Sequence, residues 1–177
     1  MDNNRTINLL SDIIDDTITR AIEEENQQYF ALIDNYERLI KENINILEKI
    51  IDIEISKSLL LYNYGTIIEL FLKMILLKLN LIDIQKIADM DHNISEMFKL
   101  IIEKCNDQSL ITSLRYIKSR MALLKYSNNN TINMNDYPHF RYNHQKGNYN
   151  LIFTENISNN DIKHIKEAIE CIKSLMK

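Results

Sequence analysis

From Tyr29 onward the chain repeats apolar residues at steps of three and four, through Tyr29, Ile33, Tyr36, Ile40, Ile44, Leu47 and Ile51, which predicts an amphipathic helix. An earlier stripe of Ile7, Leu10, Ile14, Thr17 and Ala21 has the same period, and the polar stretch Glu23 to Gln28 between the two is able to stay helical. Two helices, or one long bent helix, satisfy this pattern equally. No Gly or Pro interrupts Thr6 to Tyr62, so the expected break falls at Asn63-Tyr64-Gly65, the first glycine. Thr66 to Leu79 is apolar nearly all round, as befits a central helix enclosed by its neighbours. After a connector bearing Asp83, Asp89 and Asp91 come two further stripes. The first is Ile94, Met97, Phe98, Ile101 and Ile102; the second is Leu110, Leu114, Ile117, Met121 and Leu124, with Asp107 placed to cap it. Ser158 or Asn159 is placed to cap a last helix whose Ile162, Ile165, Ala168, Ile169, Ile172 and Leu175 face inward.

Between Ser127 and Asn160 the texture changes. This stretch is rich in Asn, holds Pro138 and Gly147, and carries a brief β-like Asn150-Leu151-Ile152-Phe153. It reads as a long loop before the last helix, and long connections of this kind concentrate function. With 2 Gly and 1 Pro in 177 residues, the chain lacks the punctuation that tight hairpins, Gly-rich phosphate loops and sandwich corners require. The expected fold is therefore all-α: a single helical domain over 1–177, with an N-terminal helical arm over about 5–27 and a bundle over about 28–177.

Charge narrows the function. The 21 Lys and Arg against 25 Asp and Glu give a net −4, so the molecule as a whole has no bias toward nucleic acid and any such site must be local. Met1-Asp2-Asn3-Asn4-Arg5 lacks the basic-then-apolar order of an export signal. Cys105 and Cys171 show no metal-type spacing, in keeping with a reducing compartment. Ile67 to Ile82 is interrupted by Glu69, Lys73, Lys78 and Asn80, which reads as too short and too charged to cross a bilayer. A cytoplasmic protein with no membrane partner is expected.

No P-loop, metalloprotease helix, zinc motif or nucleophile elbow is present. The chemistry gathers instead in Asp136-Tyr137-Pro138-His139-Phe140-Arg141-Tyr142-Asn143-His144-Gln145-Lys146, where two imidazoles, two cations and three further aromatic rings share one stretch. Lys125, Arg141 and Lys146 against Asp136 make the surroundings locally basic, and unpaired RNA is recognised by such charge combined with ring faces. The same composition fits a loop pinned to the core by Tyr and Phe while Arg and His face water. His139, His144 and His164 have only Asp136 close in sequence and no Cys, so no metal site and no cofactor are expected. Glu69 and Lys73, at i and i+4, read as a helix pair contributing about 0.3 to 0.5 kcal/mol, and His92 as a helix-start residue. The apolar stripe of the N-terminal helix needs a surface to bury against, which makes it a candidate dimerisation arm.

Three local signatures resemble the HEPN family, small all-α domains built on a four-helix bundle and common in prokaryotic toxin–antitoxin and antiviral systems. Tyr64-Gly65-Thr66-Ile67-Ile68-Glu69-Leu70-Phe71-Leu72-Lys73 resembles the family's second long helix, and Asp91-His92-Asn93-Ile94-Ser95-Glu96-Met97 the His-led start of the next. Phe140-Arg141-Tyr142-Asn143 resembles the Arg-Tyr-Pro element before the last helix, with Asn143 in the proline's place. The likeness spans roughly Tyr29 to Lys177. It implies a HEPN-like four-helix bundle with an extra N-terminal helix, acting in defence or toxin–antitoxin biology as a metal-independent endoribonuclease. It also implies a homodimer and RNA as partner. Arg141 would hold the scissile phosphate and His144 would act as acid or base, with His139 the fallback imidazole. His139, Phe140, Tyr142 and Lys146 would contact RNA. Active members separate that Arg and His by four to six residues, whereas Arg141 and His144 are separated by two. The other outcome the resemblance implies is a non-catalytic interaction or regulatory protein, antitoxin-like or bound to a small nucleotidyltransferase or another defence protein.

Overall fold

Helix α1 (Asn3–Ile50) resolves the open choice at the N-terminus, because the polar stretch Glu23 to Gln28 continues the helix rather than ending it. In this computed structural model, residues 3–53, 57–124, 132–141 and 157–177 are described, with side chains over 23–53, 57–124, 132–137 and 157–177. The chain divides into two compact units, Met1–Asn35 and Tyr36–Lys177. The first is the leading part of α1, where the rings of Tyr29 and Phe30 meet edge to face at 6.2 Å between centroids and Phe30 is exposed. The second is an all-helical bundle. Its elements are the rest of α1, α2 (Lys57–Lys78), α3 (Ile84–Asp89), α4 (Ile94–Lys104), α5 (Gln108–Leu123), a 3-10 helix (Met134–Arg141) and α6 (Asn159–Leu175). No strand occurs among the described residues; the β-like Asn150 to Phe153 lies outside them.

The core is built as the stripes predict. Ile40, Ile44, Leu47 and Ile51 of α1 and its end are buried, as are Met97, Phe98 and Ile101 of α4, Leu114, Ile117 and Met121 of α5, and Ile165, Ala168, Ile169 and Ile172 of α6. Helix α2 is the most enclosed, buried on every side from Leu60 to Leu77. Its apolar window is long enough to cross a membrane, contrary to the expectation from Ile67 to Ile82, because the helix begins at Lys57; 72% of that window is buried inside the bundle, as in a core helix. The caps at Asp107 and Ser158 fall where expected. Asp107 accepts from the amides of Ser109 and Leu110, and Ser158 forms a reciprocal capping box with Asp161.

Two expectations are corrected. The first break comes at Ile51 to Ile53, with neither Gly nor Pro, while Asn63-Tyr64-Gly65 lies inside α2. Gly65 serves packing: a Cβ there would stand 2.4 Å from Cβ of Tyr137, so only a glycine lets the 3-10 helix lie this close to α2. The chain end that a glycine would commonly form is made by Asn80 instead. Asn80, at φ 50°, follows α2 with its amide on the Leu77 carbonyl and that of Leu81 on the Leu76 carbonyl, the Schellman pattern. The second correction concerns the expected loop, of which Met134–Arg141 is helical. A 3-10 run of eight residues is longer than local hydrogen bonding sustains, and here α2 holds it in place.

Candidate functional site

Two corners of the second unit bring an imidazole, a carboxylate and a cation together. The first forms where α2 passes the α3–α4 connector. Glu69 is almost enclosed, its side chain 9% exposed, and an ionisable group on so apolar a helix requires partners for both oxygens. Lys73 Nζ donates to Oε1 at 2.7 Å, one helical turn away, and Nδ1 of His92 meets Oε2 at 2.9 Å from the connector. His92 is placed by the turn before it: Asp91 adopts φ 45°, and Asn93 caps α4 by accepting from the Glu96 amide. The other imidazole nitrogen, Nε2, lies 3.3 Å from the exposed Asp91 carboxylate, and the His92 ring is 41% exposed. Tyr36 of α1 completes the corner. Burial, reinforced by the negative charge of Glu69, pushes its phenol above the ordinary value of 10.0.

The second corner forms between α5 and α6. Arg120 Nη1 lies 3.1 Å from Glu167 Oε2 and 3.4 Å from His164 Nδ1, and its guanidinium sits 4.5 Å over the Tyr116 ring. His164 is the buried member, its side chain 11% exposed. The Tyr64 hydroxyl and Arg120 Nε are enclosed with no hydrogen-bond partner among the described residues. Burial drives the Tyr64 phenol far above its ordinary value, a shift the Arg120 charge partly opposes. Beyond this corner, Lys57 and Asp161 form a second enclosed ion pair at 3.3 Å, joining α2 to the start of α6.

The 3-10 helix touches both corners. Asn135 Oδ1 accepts from the Ser95 amide at 2.9 Å and its Nδ2 donates to Asn93 Oδ1 at 3.1 Å, beside His92. Two residues on, Tyr137 is fully buried; its hydroxyl donates to the Met121 carbonyl at 3.0 Å, next to Arg120, and its ring meets that of Tyr64 at 5.9 Å. The backbones of His139, Phe140 and Arg141 complete this helix, while their side chains, and the whole of Tyr142, His144 and Lys146, lie outside the described residues. No group of three metal-ligating side chains occurs among the described residues. The sequence reading treated Glu69 with Lys73 as an ordinary helix pair and His92 as a helix start. The signal that connects them is a spare oxygen: Lys73 satisfies one side of Glu69, and a carboxylate on an all-apolar helix needs a second donor from elsewhere in the chain. Nothing in the sequence announces the pairing of Arg120 with His164. Comparison of the chain with family models, curated proteins and solved structures gives no match.

Proposed function

We propose that this chain is a cytoplasmic, HEPN-like, RNA-associated protein of a prokaryotic defence or toxin–antitoxin system, cleaving RNA without a metal. The observation that carries this reading is the anchoring of the segment that leads into the basic, aromatic stretch. Asn135 and Tyr137 fix the chain to α4, α2 and α5 immediately before His139, Phe140, Arg141, Tyr142, His144 and Lys146. A surface that reads single-stranded RNA needs charge and ring faces on a fixed platform, because ordering a loose one would offset the gain from stacking. In this reading Arg141 holds phosphate, with the planar fork that suits it, and the aromatic and cationic side chains around it contact bases and backbone.

The test incubates the purified chain with mixed cellular RNA in EDTA and follows both binding and products. Wild type is expected to bind and cleave, Arg141→Ala to weaken binding as well as rate, and His144→Ala to weaken binding. Wild type that leaves the RNA unbound overturns the reading.

A second reading, a non-catalytic interaction protein, is favoured by the exposed apolar side chains of Phe30, Ile46, Ile53 and Leu59. Its form in this reading is a homodimer joined through the N-terminal helix, presenting a surface to a nucleotidyltransferase or another defence protein. Light scattering at micromolar concentration checks the dimer. A mass of 21.0 kDa for the full chain removes it.

A further inference from the structure

A histidine is a useful proton carrier when one nitrogen is held by a fixed acceptor and the other faces the place where a substrate lies. His92 meets both conditions. The acceptor is Glu69, whose carboxylate has no freedom of its own, since Lys73 clamps Oε1 while Oε2 faces His92 Nδ1 at 2.9 Å. A carboxylate oxygen only accepts, so the neutral imidazole carries its hydrogen on Nδ1 and leaves the Nε2 lone pair free to take a proton. That nitrogen belongs to the exposed part of the corner, on a ring 41% exposed. His164, by contrast, is enclosed against Glu167 and Arg120 and offers no comparable face.

We propose that His92 is the acid–base residue of the RNA reaction and Glu69 its positioning residue, an inference that rests on the RNA-associated reading above. The place of the substrate follows from Asn135, which binds Asn93 and Ser95 and so starts the segment leading into the basic, aromatic stretch one residue from His92. In the reaction, Nε2 takes the proton of a ribose 2′-hydroxyl as O2′ bonds to the adjacent phosphorus. The P–O5′ bond breaks, water supplies the proton to O5′, and the products carry a 2′,3′-cyclic phosphate and a 5′-hydroxyl. Protonated Nε2 then donates to Asp91 Oδ1, 3.3 Å away, and releases its proton to water. Asp91 therefore stabilises the imidazolium, while Glu69 fixes the tautomer before the step.

The experiment uses the full chain and a short, end-labelled single-stranded RNA of mixed sequence in EDTA, with circular dichroism to verify each variant's fold. His92→Ala and His92→Gln are expected to slow cleavage by roughly 10²- to 10⁴-fold with RNA affinity unchanged. Added imidazole should restore part of the His92→Ala rate, which a merely structural histidine would not permit. Glu69→Gln should slow cleavage with affinity unchanged, and the 5′ products should end in a cyclic phosphate. Cleavage by the His92 variants at the wild-type rate overturns the assignment and leaves the RNA reading intact. Wild type that binds RNA without cleaving it overturns the assignment too, again without touching the association. Wild type that neither binds nor cleaves removes the RNA reading, and this inference with it.

Discussion

The two polar corners contain the same three kinds of group and invert their exposure. Around Glu69 the carboxylate is enclosed and the imidazole of His92 faces water; around Arg120 the imidazole of His164 is enclosed, and Glu167, 29% exposed, is the more open member. The first arrangement leaves a proton carrier accessible on a rigid support. The second uses its imidazole to satisfy neighbours inside the bundle, where an unpaired polar group is costly. Proximity of an Arg and a His is therefore a poor guide to chemistry in this bundle, and the exposure of the imidazole is the better one.

The sharpest way to break the comparison is to remove the buried anchor of the first corner. Glu69→Ala strips the partner from Lys73, whose side chain is 13% exposed, and leaves a cation enclosed on an apolar helix. A loss of about 3 to 5 kcal/mol is expected, the range for breaking one half of a buried pair. Glu167→Ala removes a more open carboxylate and is expected to cost less. Urea unfolding of the two variants checks the order, and equal losses would mean that the corners do not differ as their exposure implies.

Next in size is Gly65→Ala, which acts on the element touching both corners. The new methyl meets the Cβ of Tyr137 at 2.4 Å and its backbone carbonyl carbon at 3.1 Å, so the 3-10 helix must move away from α2. About 3 kcal/mol of destabilisation is expected from this overpacking, with faster amide hydrogen exchange over Met134–Arg141. Unchanged exchange there would show that the close approach is dispensable.

How much of this was legible follows from which contacts are local. The stripes of α4, α5 and α6 and the caps at Asp107 and Ser158 are written within a few residues of where they act, and the structure places them as read. The turn at Ile51 to Ile53 has no Gly or Pro to mark it. Gly65 looked like a stop signal because its reason, Tyr137, lies far along the chain. The Glu69–His92 contact spans 23 residues, and although each side stood in a noticed motif, period and spacing carry no information on tertiary pairing. The basic, aromatic stretch was visible by composition, whereas the 3-10 helix that starts it depends on contacts with α2.

A smaller effect separates the two histidines directly. His164→Ala leaves Arg120 and Glu167 facing a gap, and about 1 to 2 kcal/mol of stability should go with it. His92→Ala, at a ring partly in water, should cost under about 1 kcal/mol. Reversal of this order in thermal unfolding would place the structural role at His92 and undo the contrast.

The smallest expected effect at neutral pH is a gain. Tyr64 is fully enclosed and its hydroxyl has no hydrogen-bond partner among the described residues, so Tyr64→Phe discards a group that was desolvated without return. Stability should rise by about 1 kcal/mol at pH 7. Alkaline pH enlarges the difference, and the sign follows from proton counting. Burial holds the folded phenol far above its ordinary 10.0, while the unfolded phenol titrates near that value. Below pH 10 both states keep the proton and pH has no leverage. Above it the unfolded chain releases a proton that the folded chain retains, so wild-type stability falls with this group by about 1.4 kcal/mol per pH unit. Tyr64→Phe lacks that term, although Tyr36 keeps a weaker one of the same sign. Urea midpoints of the two proteins should therefore diverge further between pH 9 and pH 11. A variant that is less stable at pH 7, or that follows wild type in parallel through the alkaline range, would mean that the hydroxyl is satisfied in solution and that the second corner is better built than its orphaned atoms imply.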